Sequence, residues 1–599
     1  MLQDILRYFP YEDPREGQIE IAARTYETLV RGETLAIEAP NGIGKTSAVL
    51  SGALLASERS GRRILYLTRT HSQTDRVVEE VEKISKKAEV IYAPIRGMAS
   101  LCPFNTGLFR EGIFCSFIVK KRICNYTKSI DEVGDVRPLF TEKVISEALK
   151  RGQCPYAFSI RLAKDSTLII ANYIYVFDMF YYNYLFEKIR LEKPFLIIDE
   201  AHNVSERILD FLRARARIDR LYDILSRYSS DTGFNGIIRL LDKVCESNSK
   251  IVSGEILKFV SKDEISKLRE FLDKMFEKSE EVEFMDNSFM DAVKFLRKLE
   301  IARENAGNIV FCREGKADLL MEPILPGDLY GKVLGDKFSG IVMISGTFGG
   351  KEALSAELGI DLDYMEINPR REEELSVFIA EGITTSYRKR EKELYKAIAE
   401  VISEIPSTVE GNIGIFFPSY QFMERVYEEV RSMDKPVFLE SREKTARENR
   451  EMIENFKRMA DAGGAVLFGV LGGRNSEGED FIGKEMSSAI VVGLPYRKPN
   501  DLMRLRASKI NEKSPGMGYK VVFTLPAVRM AVQAAARSTR GHRKKVAVVF
   551  ADDRYKRSDV IEFLPSWVKE RIGYVKWGDL PEIFKRIWDN ETASIQRKC

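Results

Sequence analysis

Residues 38 to 48 read EAPNGIGKTSA, and their types and spacing fit one chemistry, the holding of a nucleotide's phosphates. Gly42 and Gly44 let the backbone turn with positive φ and bring its N–H groups close to phosphate oxygens, and the helix that follows adds partial positive charge at its start. Lys45 then reaches the β and γ phosphates, and Thr46 offers its hydroxyl to Mg²⁺. The general pattern GxxxxGK[ST] opens on Gly where this chain has Ala39. A second group, LIIDEAH at 196–202, ends an apolar run on adjacent carboxylates: Asp199 can hold Mg²⁺, and Glu200 can orient and deprotonate a water. A third, QAAARSTR at 533–540, carries Arg537 and Arg540 on one face of a helix, where both can reach a γ-phosphate.

A fourth group is sulfur. Cys102, Cys115, Cys124 and Cys154 are separated by 12, 8 and 29 residues. Structural zinc sites favour CxxC pairs, absent from this run, whereas a [4Fe-4S] cluster accepts four thiolates at looser spacing. Buried small hydrophobes are the competing reading, common for single cysteines and less so for four in one insertion. Between residues 98 and 154 nine Lys or Arg stand against six Asp or Glu, with Phe104, Phe109, Phe114, Phe117 and Tyr126 among them. Cations for phosphates and rings for stacking is the composition of single-strand binders, although each ring taken singly belongs first to a core. His71, His202 and His542 have no metal-ligand spacing, which leaves a zinc hydrolase unsupported.

Residues of this kind act only if a scaffold holds them in register. Apolar, β-branched runs recur with helical segments between them: TLAIEA, RRILYLTRT, STLIIANY, PFLIIDE and SGIVMISGT, then NIGIFFPS, AVLFGV, SSAIVVGLP and KKVAVVFAD. That alternation predicts an α/β fold of parallel sheets covered by helices on both faces. The runs form two groups on either side of the charged stretch NPRREEEL, and the acidic pair lies at a strand's carboxyl end, where ligands bind in open α/β folds. The second group has no GK[ST], so one ATP is expected in the cleft between the groups, with the arginines acting in cis. Two stretches interrupt the first group: 98–165, without a strand pattern, and 205–335, read as charged amphipathic helices whose apolar stripe forms its own small core.

Composition sets the outer bounds. A chain of 599 residues exceeds one core and divides into about three to five domains. Apolar residues at 44% and charged residues at 31% describe a globular protein. A net charge of +3 does not advertise a polyanion partner, so any nucleic-acid site must be a local patch. With no basic leader ahead of an apolar stretch and no long uncharged apolar run, the expectation is a cytoplasmic protein outside the membrane. Seven cysteines, an odd number, argue against a disulfide framework.

In their order, these elements resemble the XPD, Rad3 and DinG group of superfamily 2 DNA helicases, most closely its archaeal XPD members. YEDPREGQ with Gln18 resembles the element that recognises adenine, APNGIGKT motif I, YLTRTHSQ the single-strand-touching motif Ia, and DEAH motif II. SGTF, FFPSY, GGRNSEGEDF and QAAARSTR resemble motifs III to VI, the last with Ala536 where the family commonly has Gly. The resemblance implies two RecA-like parallel-sheet motor domains, the first interrupted by a small iron-sulfur cluster domain and a helical arch. Motor domain 1 would comprise 1–97, 166–205 and 336–370, the cluster domain 98–165, the arch 206–335 and motor domain 2 residues 371–599. It also implies nucleotide contacts from Gln18, Asp480, Gln533, Arg537 and Arg540, and a [4Fe-4S] cluster on Cys102, Cys115, Cys124 and Cys154. Its implied activity is ATP- and Mg²⁺-dependent unwinding, 5′ to 3′ along single-stranded DNA at forked duplexes, in nucleotide excision repair with repair-protein partners and as a monomer. An ATP-gated clamp or scaffold that separates no strands, an RNA substrate, and a DinG-like role outside excision repair stay open.

Overall fold

The computed structural model describes the chain except residues 41, 105–122, 127–129, 131–136, 138, 228–233, 248, 279–286, 316, 369–373, 476–480, 540–544 and 590–599. Its strands run β1 Thr34–Glu38, β2 Ile64–Thr68, β3 Tyr92–Ile95, β4 Leu168–Asn172, β5 Phe195–Asp199, β6 Ala214–Arg217, β7 Ile251–Ser253, β8 Ile309–Glu314 and β9 Asp318–Pro323. They continue as β10 Gly340–Ser345, β11 Asp363–Glu366, β12 Glu374–Glu381, β13 Ile413–Phe417, β14 Val437–Leu439, β15 Val466–Val470, β16 Ser488–Val492, β17 Lys545–Ala551 and β18 Ile572–Lys576.

Fourteen of these form two seven-stranded sheets, ordered β11-β1-β10-β5-β2-β4-β3 and β14-β15-β13-β16-β17-β12-β18. Every pairing in both is parallel. Read from opposite ends the two orders are the same, so β12 stands where β1 does, β13 where β2 does, and β17 where β10 does. The strands are apolar almost without interruption because both faces are covered. Ala36, Leu65 and Ile198 enter one cluster, Leu35, Tyr66 and Ile197 the other. The second sheet divides likewise, with Phe416 and Val491 against Ile415 and Ile490.

Two helices lock the site's side of the first sheet. In helix Lys45–Ser60 a Cβ on Gly52 would lie 2.2 Å from the carbonyl oxygen of Ala22, so only glycine lets helix Gln18–Arg31 come this close.

The stretch read as charged helices holds more than helices. β6, β9, β8 and β7 form an antiparallel sheet of four strands, with Ala214 and Ala216 turned inward and Arg215 and Arg217 outward. Short strands that alternate apolar with charged present the same composition as a solvated helix face, which hid them. Nor is the core of this insertion separate: Phe295, Leu299, Phe311 and Met321 join the cluster that holds Ala36 and Leu65. β11, also unread in the sequence, extends the first sheet past residue 348. No helix among the described residues is long and apolar enough to cross a membrane.

Candidate nucleotide site between the two sheets

β1 delivers the chain into the loop at 39–44 and out into helix Lys45–Ser60. Gly42 and Gly44 have φ of 89° and 83°, and a Cβ on Gly44 would meet the Gln18 Nε2 at 2.1 Å. Gln18, 2% exposed, is what crowds it: its Nε2 donates to the Gly44 carbonyl at 3.2 Å, and its Oε1 accepts from the Arg15 N–H at 2.7 Å. Arg15 Nη1 donates to the Gly42 carbonyl at 2.8 Å, so the YEDPREGQ element grips the loop from the side. Lys45 Nζ folds over the loop and donates to the carbonyls of Ala39 at 2.7 Å and Pro40 at 3.1 Å. Ala39 does not take a positive φ, which is why the position tolerates a residue other than glycine.

β5 ends on Asp199, and Glu200 follows with φ 52°, a left-handed conformation that is strained for glutamate. The Glu200 N–H donates to Asp199 Oδ1 at 3.0 Å, and the Tyr173 hydroxyl donates to the Asp199 carbonyl. Burial, and then the neighbouring Glu200 charge, push the Asp199 carboxyl well above the usual range. Burial works on Glu200 in the same sense, but the hydrogen bond from His202 and the charges of Lys45 and Arg537 outweigh it and hold Glu200 low. His202 Nδ1 lies 3.4 Å from Glu200 Oε2 and 3.1 Å from Ser345 Oγ. Glu200 is thereby held in its ionised form.

The second sheet's contribution arrives on helix Leu525–Ala535. Gln533 Nε2 donates to Thr347 Oγ1 at 3.4 Å, and Thr347 N–H donates to Ser345 Oγ at 3.1 Å, which chains motif VI to motif III and on to His202. Arg537 is buried, and its charge bears on Glu200 across the cleft. Ala536 closes the helix with φ −66°, right-handed, so nothing there requires glycine. Arg540, His542 and Asp480 lie outside the described residues.

Among the buried carboxylates that were not singled out in the sequence, two tie neighbouring motifs together. Glu38, the residue before the loop, accepts from the N–H groups of Gly349 at 3.1 Å and Gly350 at 3.4 Å and from the Tyr364 hydroxyl, which ties motif I to the turn after motif III. Its place next to the loop was the available signal. Burial raises its pKa, so the folded protein holds that proton more firmly than the unfolded chain and loses stability as pH rises past the ordinary carboxylate range. Glu38→Gln removes this slope: the melting temperature of the variant should gain on that of the wild type between about pH 5 and pH 8. A difference independent of pH would show that Glu38 is ionised throughout. The other is Glu440, 1% exposed, which accepts from the Tyr420 hydroxyl at 2.7 Å and from the N–H groups of Arg474 at 2.9 Å and Val470 at 3.1 Å, binding motif IV to motif V.

Of the four cysteines, Cys102, Cys124 and Cys154 are half-buried and outside any disulfide, and Cys115 lies outside the described residues. Cys102 ends the short helix Met98–Leu101, and Cys154 caps helix Pro155–Lys164, which packs against it. The rings of Phe104 and Tyr126, each two residues beyond a cysteine, meet at 6.0 Å and draw the chain at Cys102 toward that at Cys124. These are thiols of the right chemistry on neighbouring segments. Among the described residues no group of three His, Cys, Asp or Glu converges as metal ligands. Phe104 and Tyr126 engage each other, and Phe109, Phe114 and Phe117 lie outside the described residues.

Comparison with known proteins adds a family. Residues 66–220 match the DEAD_2 family and residues 402–571 the helicase C-terminal domain family. The ATP-dependent DNA helicase XPD of Sulfolobus acidocaldarius is 24% identical over 90% of this chain and 96% of its own. A regulator of telomere elongation helicase 1 homolog of Arabidopsis thaliana is 22% identical over 98% of this chain and 69% of its own. Among solved structures an XPD helicase superposes with a TM-score of 0.65 at 21% identity, covering 94% of this chain and 100% of that one. Xpd4 of S. tokodaii gives 0.57 at 18% identity, covering 94% and 100%.

Proposed function

Because this chain is an ATP-dependent DNA helicase of the XPD-like family, we propose that it hydrolyses one ATP in the cleft between its two sheets and uses the cycle to move 5′ to 3′ along single-stranded DNA and open a duplex. The observation that carries this reading is the convergence on Glu200 of the charges of Lys45, at the start of the helix after β1, and of Arg537, in the turn just past the end of helix Leu525–Ala535 rather than on its face. Gln18, which here braces the loop through the Gly44 carbonyl, would contact the base once nucleotide is bound, the N–H groups around Gly42 and Gly44 cradle the phosphates, and Lys45 leaves its loop carbonyls for the γ-phosphate. Glu200, ionised, orients the attacking water and takes its proton, while Arg537, with Arg540 and Gln533, neutralises charge on the transferring group. Asp199 and Thr46 would hold Mg²⁺, which supplies charge neutralisation between phosphate oxygens. Cys102, Cys115, Cys124 and Cys154 would hold a [4Fe-4S] cluster, which supplies a covalent tie that fixes the shape of the insertion.

Single-stranded and forked DNA are the proposed partners, in nucleotide excision repair and as a monomer. The telomere-regulator similarity, which spans 98% of this chain, favours keeping a role outside excision repair as the second reading.

The deciding experiment is ATP-driven strand displacement on matched duplexes with a 5′ tail, a 3′ tail or no tail, with protein kept anaerobic. Opening of the 5′-tailed duplex alone is expected. Opening of the 3′-tailed duplex would reverse the polarity, and ATP turnover stimulated by single strands without opening would make the protein a gated clamp.

A further inference from the structure

Arg529 lies on helix Leu525–Ala535, one turn before Gln533, with Arg537 just past the helix's end, and is 7% exposed. All its bonds run to the other sheet's domain. Nε donates to the Thr347 carbonyl at 3.1 Å, Nη1 to the His202 carbonyl and to Glu357 Oε1 at 3.0 Å each, and Nη2 to the Phe348 carbonyl at 2.9 Å and Glu357 Oε2 at 2.7 Å. A guanidinium has five N–H donors, so the group is saturated. Glu357 is itself held by the Ser205 hydroxyl at 2.6 Å. One side chain of the second domain thus grips the backbone of both the DEAH segment and motif III.

The two ends of this helix are held differently. Around its first turns the domains also share apolar packing: Ala353, from the helix that carries Glu357, belongs to the same cluster as Leu525, Val528 and Phe563. Toward its last turn Gln533 makes one long hydrogen bond to Thr347. Leaving a buried guanidinium and carboxylate unpaired is costly, so the Arg529 end is the part of the interface least able to open in each cycle. Arg537 stands eight residues further along the chain, in the turn just past the helix's end.

We propose that Arg529 is a positioning residue, the fixed pivot of the second domain on the first, which sets the reach of Arg537 to the γ-phosphate. This rests on the reading of the cleft as the ATP site. On this account the stroke is a rotation about Arg529, and domain 2 does not leave domain 1 when the phosphate goes. A lysine in its place keeps the charge but loses the fork that binds Glu357 and three carbonyls together.

The test compares ADP with ADP plus aluminium fluoride, a mimic of the transferring phosphoryl group, in wild type and Arg529→Lys with single-stranded DNA present. A pivot predicts unchanged ADP affinity, which needs only the first domain's loop, with aluminium fluoride complex formation and turnover number both reduced about tenfold or more at little change in KM. Glu357→Gln should show the same pattern more weakly and decides the matter if the lysine variant does not fold. Equal loss of both affinities would make Arg529 structural cement, and wild-type values for complex and turnover would mean that it positions nothing; either overturns the proposal. A wild type that forms no aluminium fluoride complex would instead refute the ATP cleft, and the pivot with it.

Discussion

Lys45→Ala is expected to cut ATP turnover by about 10²–10³-fold or more, the cost of deleting one preorganised donor to transition-state charge. The lysine is half-buried and in this structure donates to two loop carbonyls, those of Ala39 and Pro40. Alanine is the best helix former at the helix's first position, so the loop-to-helix junction should persist. Melting temperature and single-strand affinity should therefore stay near wild type, measured beside phosphate release. Turnover retained in a folded Lys45→Ala protein would remove the 39–46 loop from the chemistry.

Arg537→Ala should be at least as severe, since an arginine supplied to the transferring phosphoryl group is worth about 10³–10⁵ in rate. Nucleotide binding should survive, because Gln18, the loop and the acidic pair all stand on the first domain. The variant has a second signature. The Arg537 charge is one of those that hold Glu200 low, so without it the Glu200 pKa rises and residual activity should fail at a higher pH on the acid side than in wild type. The measurement is the pH profile of turnover at saturating ATP. A loss within about threefold, or an unmoved acid limb, would detach Arg537 from Glu200.

What was legible in the sequence was local. GKT and DEAH each place their chemistry within a few residues, and a strand buried on both faces announces itself as an unbroken apolar run, as TLAIE and FLIID do. The parts that went unread depend on where distant segments meet. Arg529 stands at helical spacing from Gln533 and Arg537 and reads as one more basic residue, because its partners lie 172 to 327 positions away along the chain. Glu38 and Glu440 look like surface glutamates until the folded chain closes over them. The antiparallel sheet at 214–323 failed for the converse reason: its strands are three to six residues long, and their outward arginines imitate a helix's wet face.

The two sheets share one strand order, and that sameness makes their difference informative. In the second sheet the segment after β12 occupies the place that the phosphate loop holds after β1, yet Thr385 turns its N–H and hydroxyl, at 2.8 and 3.0 Å, onto the carboxylate of Asp552. Burial alone would raise the Asp552 pKa, but the Arg554 hydrogen bond and charge prevail and keep it an anion. Paired with Arg554 and buried, that carboxylate already occupies the Thr385 N–H and hydroxyl, so these donors are spent within the second domain. Two sheets alike in strand order are thus unlike at this one place, as two castings from one mould of which only one has had its socket left open.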